Sequence, residues 1–289
     1  MATIEALIRK RLLSRTELSE KLAVFGGMPA IFFQEAPDDK DESWGDAQYP
    51  RIVFSADTFA DPARDRRKVM FVDIICSTTG TVPEEIEPLV REALTGVFFT
   101  PDVGETFSAK WRETQVFKEA VGDREPLIVG MTLNFDIYEY PLLETSDPDP
   151  IMAMCRYSEE WFGQVVVVIG KAWLRGIFEP TRERPAIYFS KGGTSIDRET
   201  NTVVWMNSDI VVHLFAPTVH DRIEWLEQFS QALGLAGEIT TIDGAPIFIK
   251  QIKGDAAGDE LSGQLRISVQ YGLLRRPAYA HGIHHVGWR

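Results

Sequence analysis

Cysteine is nearly absent from this chain: Cys76 and Cys155 are its only two, in different halves. That excludes a disulfide framework, points to a reducing compartment, and leaves neither thiol with metal-ligand spacing. Long apolar runs are missing too. The longest aliphatic stretch, Val165 to Ile169, has the length of a strand, so no membrane span is expected. At the N-terminus Ile4, Leu7, Ile8 and Leu12 alternate with Arg9, Lys10 and Arg11 at helical spacing, unlike the uninterrupted apolar core of a secretory signal. Positive charge is scarce, with 30 basic against 43 acidic residues and a net charge of −13. The deficit is uneven: residues 1–150 carry 16 basic and 28 acidic side chains, the remainder 14 and 15. A duplex-binding protein normally presents a basic footprint, so this balance argues against tight nucleic-acid binding. Catalytic signatures are lacking as well. No G-x-G-x-x-G, G-x-x-x-x-G-K, G-x-S-x-G or H-E-x-x-H occurs, and Gly170-Lys171-Ala172 is no phosphate loop. No enzyme and no cofactor are expected.

What the chain does contain is one pattern stated twice. Phe25-Gly26-Gly27 and the apolar run to Phe33 answer Phe162-Gly163-Gln164 and the run to Ile169. Pro50-Arg51-Ile52-Val53-Phe54-Ser55 answers Pro185-Ala186-Ile187-Tyr188-Phe189-Ser190, and Asp73-Ile74-Ile75 answers Asp209-Ile210-Val211. Thr81 to Leu89 answers Thr218 to Leu226, all at offsets of about 135 to 137, the drift that loop insertions produce. The chain therefore divides into module one, 1–145, a linker, 146–150, module two, 151–276, and a tail, 277–289. In the linker two X-Pro steps disfavour helix.

Periodicity then gives the elements. Module one reads as a helix over Ile4–Leu13, a second from an N-cap at Thr16 stopped by Gly26-Gly27, and strands near Ala30–Gln34, Arg51–Phe54, Val69–Ser77, Lys110–Phe117 and Leu127–Tyr138. Thr81 and Glu84 have capping-box spacing ahead of Ile86, Leu89, Val90 and Ala93, with Pro88 bending that helix or delaying its start. Module two repeats the order: helix Met152–Trp161, strands Val165–Ile169, Ala186–Ser190, Thr202–Leu214, Ile247–Ile252 and Leu261–Leu274. Its second helix is capped by Thr218 with Asp221, striped by Ile223, Leu226, Phe229 and Leu233, and ended by Gly234 and Gly237. The expected fold class is α+β, two similar modules, each a mostly antiparallel sheet with helices packed on one face.

Few side-chain clusters suggest chemistry. Asp38, Asp39, Asp41 and Glu42 lie in a polar loop, 36–48, without the ligand order of a calcium site, and read as solvated. His213 in an apolar strand and His220 in a helix's first turn read as structural. His281, His284 and His285 alone have metal-ligand spacing, but they lie beyond the last strand with no further ligand, so no metal site is expected. The stretch from Tyr279 to Arg289, with Val286 and Trp288, is either a tail docking on a neighbouring subunit or an unanchored one. Interface candidates are Asp61, Arg64, Arg66 and Arg67 on the polar arm 57–68, Arg198 on its counterpart 191–201, and Trp288 and Arg289 in the tail.

The order of elements, with a Pro-led strand in each module (Pro50 to Phe54; Pro185 to Phe189), a long strand, a capped helix and a final alternating strand, resembles the tail terminator, or tail-completion, proteins of long-tailed bacteriophages. The resemblance covers each module separately. It implies a structural virion protein in a homo-hexameric ring that caps the tail tube, and the sheath if the tail contracts, and joins it to the head-tail connector. It implies location in the virion neck, and host cytoplasm during assembly, with DNA passing through a lumen that the acidic first module would keep from sticking. Family members have about one module; this chain has two. Three further readings stay open: another neck component or tube subunit, a two-domain enzyme or small-molecule binder with a site between modules, and a cytosolic adaptor.

Overall fold

The computed structural model describes residues 2–57, 68–120, 127–143, 148–171, 174–254, 258–260 and 262–275. By its contacts the chain forms two compact units, Met1–Leu142 with Gly170–Pro180, and Leu143–Ile169 with Thr181–Arg289. Residues 170–180, expected within the second module, thus belong to the first unit.

In unit 1, helix α1 (Ile4–Leu13) starts where Thr3 accepts the Ala6 amide at 3.3 Å and ends with Lys10 and Arg11, charges that suit the helix dipole. Ile4, Leu7, Ile8 and Leu12 form its buried stripe. Helix α2 (Thr16–Lys21) has Thr16 as its first helical residue, not its cap, and ends well before Gly26-Gly27. Those glycines, at φ 55° and 78°, instead make a two-residue turn between β1 (Val24–Phe25) and β2 (Met28–Pro29). Such a hairpin turn needs positive φ at both positions, which only glycine adopts without strain.

Strands β3 (Ile31–Phe33), β4 (Arg51–Asp57) and β5 (Val69–Ser77) follow, then α3 (Glu87–Leu94), β6 (Phe98–Thr100), β7 (Thr106–Ala120) and β8 (Leu127–Tyr140). Pro88 sits in the first turn of α3, where its missing amide is not needed. A 3-10 turn at Pro83–Glu85 precedes the helix and no side chain caps Ile86, so the Thr81/Glu84 capping box does not form. On β5, Met70, Val72, Ile74 and Cys76 alternate inward; on β8, Met131, Leu133, Phe135 and Ile137 do the same against the helices.

Unit 2 opens with α4 (Pro150–Phe162), where Asp149 accepts the Ile151 amide at 2.9 Å. Pro150 takes the first helical position, so the last X-Pro step read as linker begins a helix. β9 (Val167–Val168) precedes β10 (Gly176–Phe178), which lies in unit 1; β11 (Ala186–Glu199), β12 (Val203–Phe215), α5 (Val219–Ala236), β13 (Glu238–Thr240), β14 (Pro246–Gly254) and β15 (Leu265–Leu274) complete unit 2. Thr218 caps α5 as expected, accepting the Asp221 amide at 3.1 Å and donating its hydroxyl to the Asp221 carboxylate at 2.7 Å. Gly237, left-handed at φ 68°, ends the helix; Gly234 lies inside it.

The sheets have one topology. Unit 1 runs β10-β6-β7-β8-β5-β4-β3 and unit 2 runs β13-β14-β15-β12-β11-β9. Without β10 the orders superpose element for element. Among the described strands, the parallel pairs β3 with β4 and β9 with β11 occupy the same place. A bulge falls in β7, between Trp111 and Glu113, and in its counterpart β14, between Ile249 and Gln251. A side-chain bond is repeated as well. Thr132 donates to Asp73 at 2.6 Å and Ser268 to Asp209 at 2.7 Å, both between registered partners. Helices pack on one face of each sheet, giving the mixed α+β class expected.

Candidate functional site

In unit 1 the edge strand β6 is covered by β10, which pairs antiparallel with it: Gly176 with Thr100, Ile177 with Phe99, Phe178 with Phe98. The rings of Phe178 and Phe98 stack at 6.5 Å. Beyond β10, Glu179 accepts from Arg11 at 2.6 Å and Arg15 at 3.3 Å, while Arg11 Nε also donates to the Ala93 carbonyl at 2.9 Å. Two arginines, Arg11 on α1 and Arg15 at the N-cap of α2, thus clamp the carboxylate that follows the added strand, a charge-assisted arrangement. In unit 2 the outer side of β13, the counterpart of β6, has no strand partner among the described residues.

The second surface is the β11–β12 hairpin. Residues 191–201 are exposed throughout, so an arm of paired strand projects beyond the buried part of β11. Arg198, an interface candidate, lies on this arm with its guanidinium 5.1 Å from the Trp205 ring. Asp197 accepts from Asn207 and from Gln270 across the three strands. The equivalent arm of unit 1 carries Asp61, Arg64, Arg66 and Arg67, which lie outside the described residues, as do His281, His284, His285, Trp288 and Arg289.

The acidic loop 36–48 spends its carboxylates singly. Asp38 accepts the Lys40 amide, Asp39 binds Tyr49 and Arg51, and Asp41 accepts the Ser43 amide, which holds its carboxyl below the usual range. No group of three potential ligands stands ready for a metal among the described residues. Trp44, buried against Phe25 and Phe32, anchors the loop, and Arg51 stacks over Tyr49 at 4.7 Å.

One polar constellation escaped the sequence reading. Ser190 Oγ lies 2.8 Å from His213 Nε2, and His213 Nδ1 lies 2.9 Å from the Glu260 carbonyl. A carbonyl can only accept, so Nδ1 carries the proton and the serine hydroxyl donates to Nε2. Burial favours the neutral ring and lowers its pKa. Gln264 bonds both the amide and the carbonyl of Leu214, so together these residues fasten the β14–β15 connection to β12. The partners are 23 positions apart on neighbouring strands, a separation that no local motif reports. A shallow groove of about 490 Å³ beside α3 is lined by Pro88, Arg91, Glu92, Thr95, Lys110 and Trp111, with Arg91 stacked 4.8 Å from the Trp111 ring. No described helix is long and apolar enough to cross a membrane.

Searches against protein-family models and against curated proteins return no match for this chain.

Proposed function

We propose that the chain is a structural subunit of a phage tail neck, a tail terminator whose copies close into a ring on the end of the tail tube and present a surface to the head-tail connector. The observation that carries this reading is the doubled topology: two sheets with the same strand order, the same parallel pair and the same Asp to Ser/Thr bond. Repeated modules multiply equivalent contact surfaces, which suits a closed symmetric assembly. Sheet edges and a projecting hairpin arm supply elements for such contacts, and the acidic excess of residues 1–150 suits a lumen through which DNA slides. The tube, the connector and, in a contractile particle, the sheath are the partners.

The experiment combines solution mass, read against 32.6 kDa per chain, with negative-stain imaging of the protein added to polymerising tail tubes. A ring in the stained peak and tubes halted with density at one end are expected. Tubes that lengthen unchanged, with none of the protein at their ends, would refute the reading.

A further inference from the structure

We infer that the outer face of the unit 2 sheet docks on the acidic α2–α3 surface of unit 1 in a second copy of this chain. The inference rests on the self-assembling reading above and names the contact.

One row of side chains sets the two repeats apart. In each, the Asp to Ser/Thr bond lies on the sheet face away from the helices, and a glutamine, Gln115 or Gln251, registers beside it. Two residues further along, unit 1 places Ile75, Gly130 and Phe117 in register. The Phe117 ring lies over Gly130, so close that a Cβ there would stand 2.3 Å from it. The same row of unit 2 holds Val211, Arg266 and Lys253, and both cations are exposed. Like charges directly opposite one another on neighbouring strands are destabilising. Unit 1 fills this row without charge, so the sheet itself does not call for the two cations; an anionic partner does.

The rest of the face suits contact with a protein. Phe248 and Trp205 point to the same side, their rings 6.3 Å apart, with Lys250 Nζ 5.7 Å from the Phe248 ring and Arg198 5.1 Å from that of Trp205. Helices α4 and α5 pack on the opposite side, so none of these groups belongs to the core. Arg198, Lys250, Lys253 and Arg266 form no ion pair among the described residues. The carboxylates on the face, Asp197 and Asp209, are held by uncharged donors, Asn207, Gln270 and Ser268. Aromatic rings and arginines together are the composition of interface cores rather than of a solvated face.

The same chain carries a complementary surface. Residues 1–150 hold 28 acidic and 16 basic side chains. Part of that excess gathers where Lys21 of α2 bonds Glu85, just before α3, at 2.7 Å, and where α2 and α3 line one groove that carries Glu17 and Glu92. Glu17, Glu20 and Glu84 are exposed and form no ion pair among the described residues, and Glu92 reaches only Arg15, at 4.0 Å. DNA is the other anion that could answer the cations, but Asp197 and Asp209 interrupt the path that a continuous phosphate backbone would follow. Contact from the second repeat of one copy to the first repeat of the next is head-to-tail, the type that closes rings.

The test uses full-length protein and two charge reversals of exposed residues, Lys253→Glu/Arg266→Glu and Glu17→Lys/Glu84→Lys, with circular dichroism confirming each fold. Self-association is measured by sedimentation for wild type, for each variant alone and for the two variants mixed in equal amounts. Wild type and Lys253→Glu/Arg266→Glu are also titrated with duplex DNA. Each variant alone is expected to assemble about tenfold or more weakly than wild type. The mixture should recover, because every contact in an alternating assembly again joins opposite charges. Variants that assemble like wild type, or a mixture that stays as weak as its components, would overturn the inference and leave the ring reading standing. So would duplex DNA bound by wild type and lost by Lys253→Glu/Arg266→Glu with assembly unchanged, which would assign the cations to phosphate. Wild type that never self-associates, alone or on tubes, would overturn both.

Discussion

Removing the Glu179 carboxylate should loosen the covered edge of unit 1 and nothing else. The Arg11 side chain, 11% exposed, keeps the Ala93 carbonyl as one acceptor after Glu179→Ala but loses its anionic partner; Arg15, at 32%, loses a contact that water replaces. A hydrogen bond to a charged group contributes about 1.5–3 kcal/mol when well buried. Glu179 is 46% exposed, so solvent screening reduces the expected loss to about 1 kcal/mol. The loss should appear as local opening, because β10 is three residues long and held by pairing, the Phe178 stack and this clamp. With tenfold corresponding to about 1.4 kcal/mol, exchange protection of amides in β6 and β10 should fall about fivefold, while those of β12 and β15 stay unchanged. Native-state hydrogen exchange read by mass spectrometry resolves both regions. Protection unchanged within experimental error at β6, or lost equally in both sheets, would refute the reasoning: the first result would make the clamp incidental, the second would make it part of the global fold.

Other perturbations probe the rest of the molecule. Phe229 is fully buried with Phe162 and Phe189 at about 6 Å, so Phe229→Ala should cost about 3–5 kcal/mol, measured by urea unfolding of unit 2. His213 has a pKa below the ordinary 6.5 because burial disfavours its charged form. The unfolded chain then binds the extra proton first, so the stabilisation is present above pH 6.5 and lost as pH falls through the lower folded value; His213→Gln should flatten that part of a thermal-stability profile. Burial, with Glu84 and Glu85 nearby, pushes the Cys76 thiol up to about 11, so the native protein should resist iodoacetamide at this position at pH 8 and react once unfolded.

Where a residue's local pattern decided the outcome, the sequence was legible. Val69–Ser77 appears as read, because strict alternation allows one register against a buried face, and the Thr218/Asp221 cap forms because both partners lie within one turn. The Gly26-Gly27 turn was misassigned because a glycine pair ends a helix or turns a hairpin equally well, and only the later Met28–Pro29 pairing decides between them. The short strands β6, β10 and β13 were missed, since three residues carry no period and their reason for being strands is a neighbour distant in sequence. The same limit hid Ser190 with His213, and the covered edge of unit 1. Duplication partly lifts it. When one repeat shows its edge strand β6 paired, the other repeat's β13, with no partner on its outer side among the described residues, becomes an observation rather than a gap, because the same chain supplies the reference for comparison.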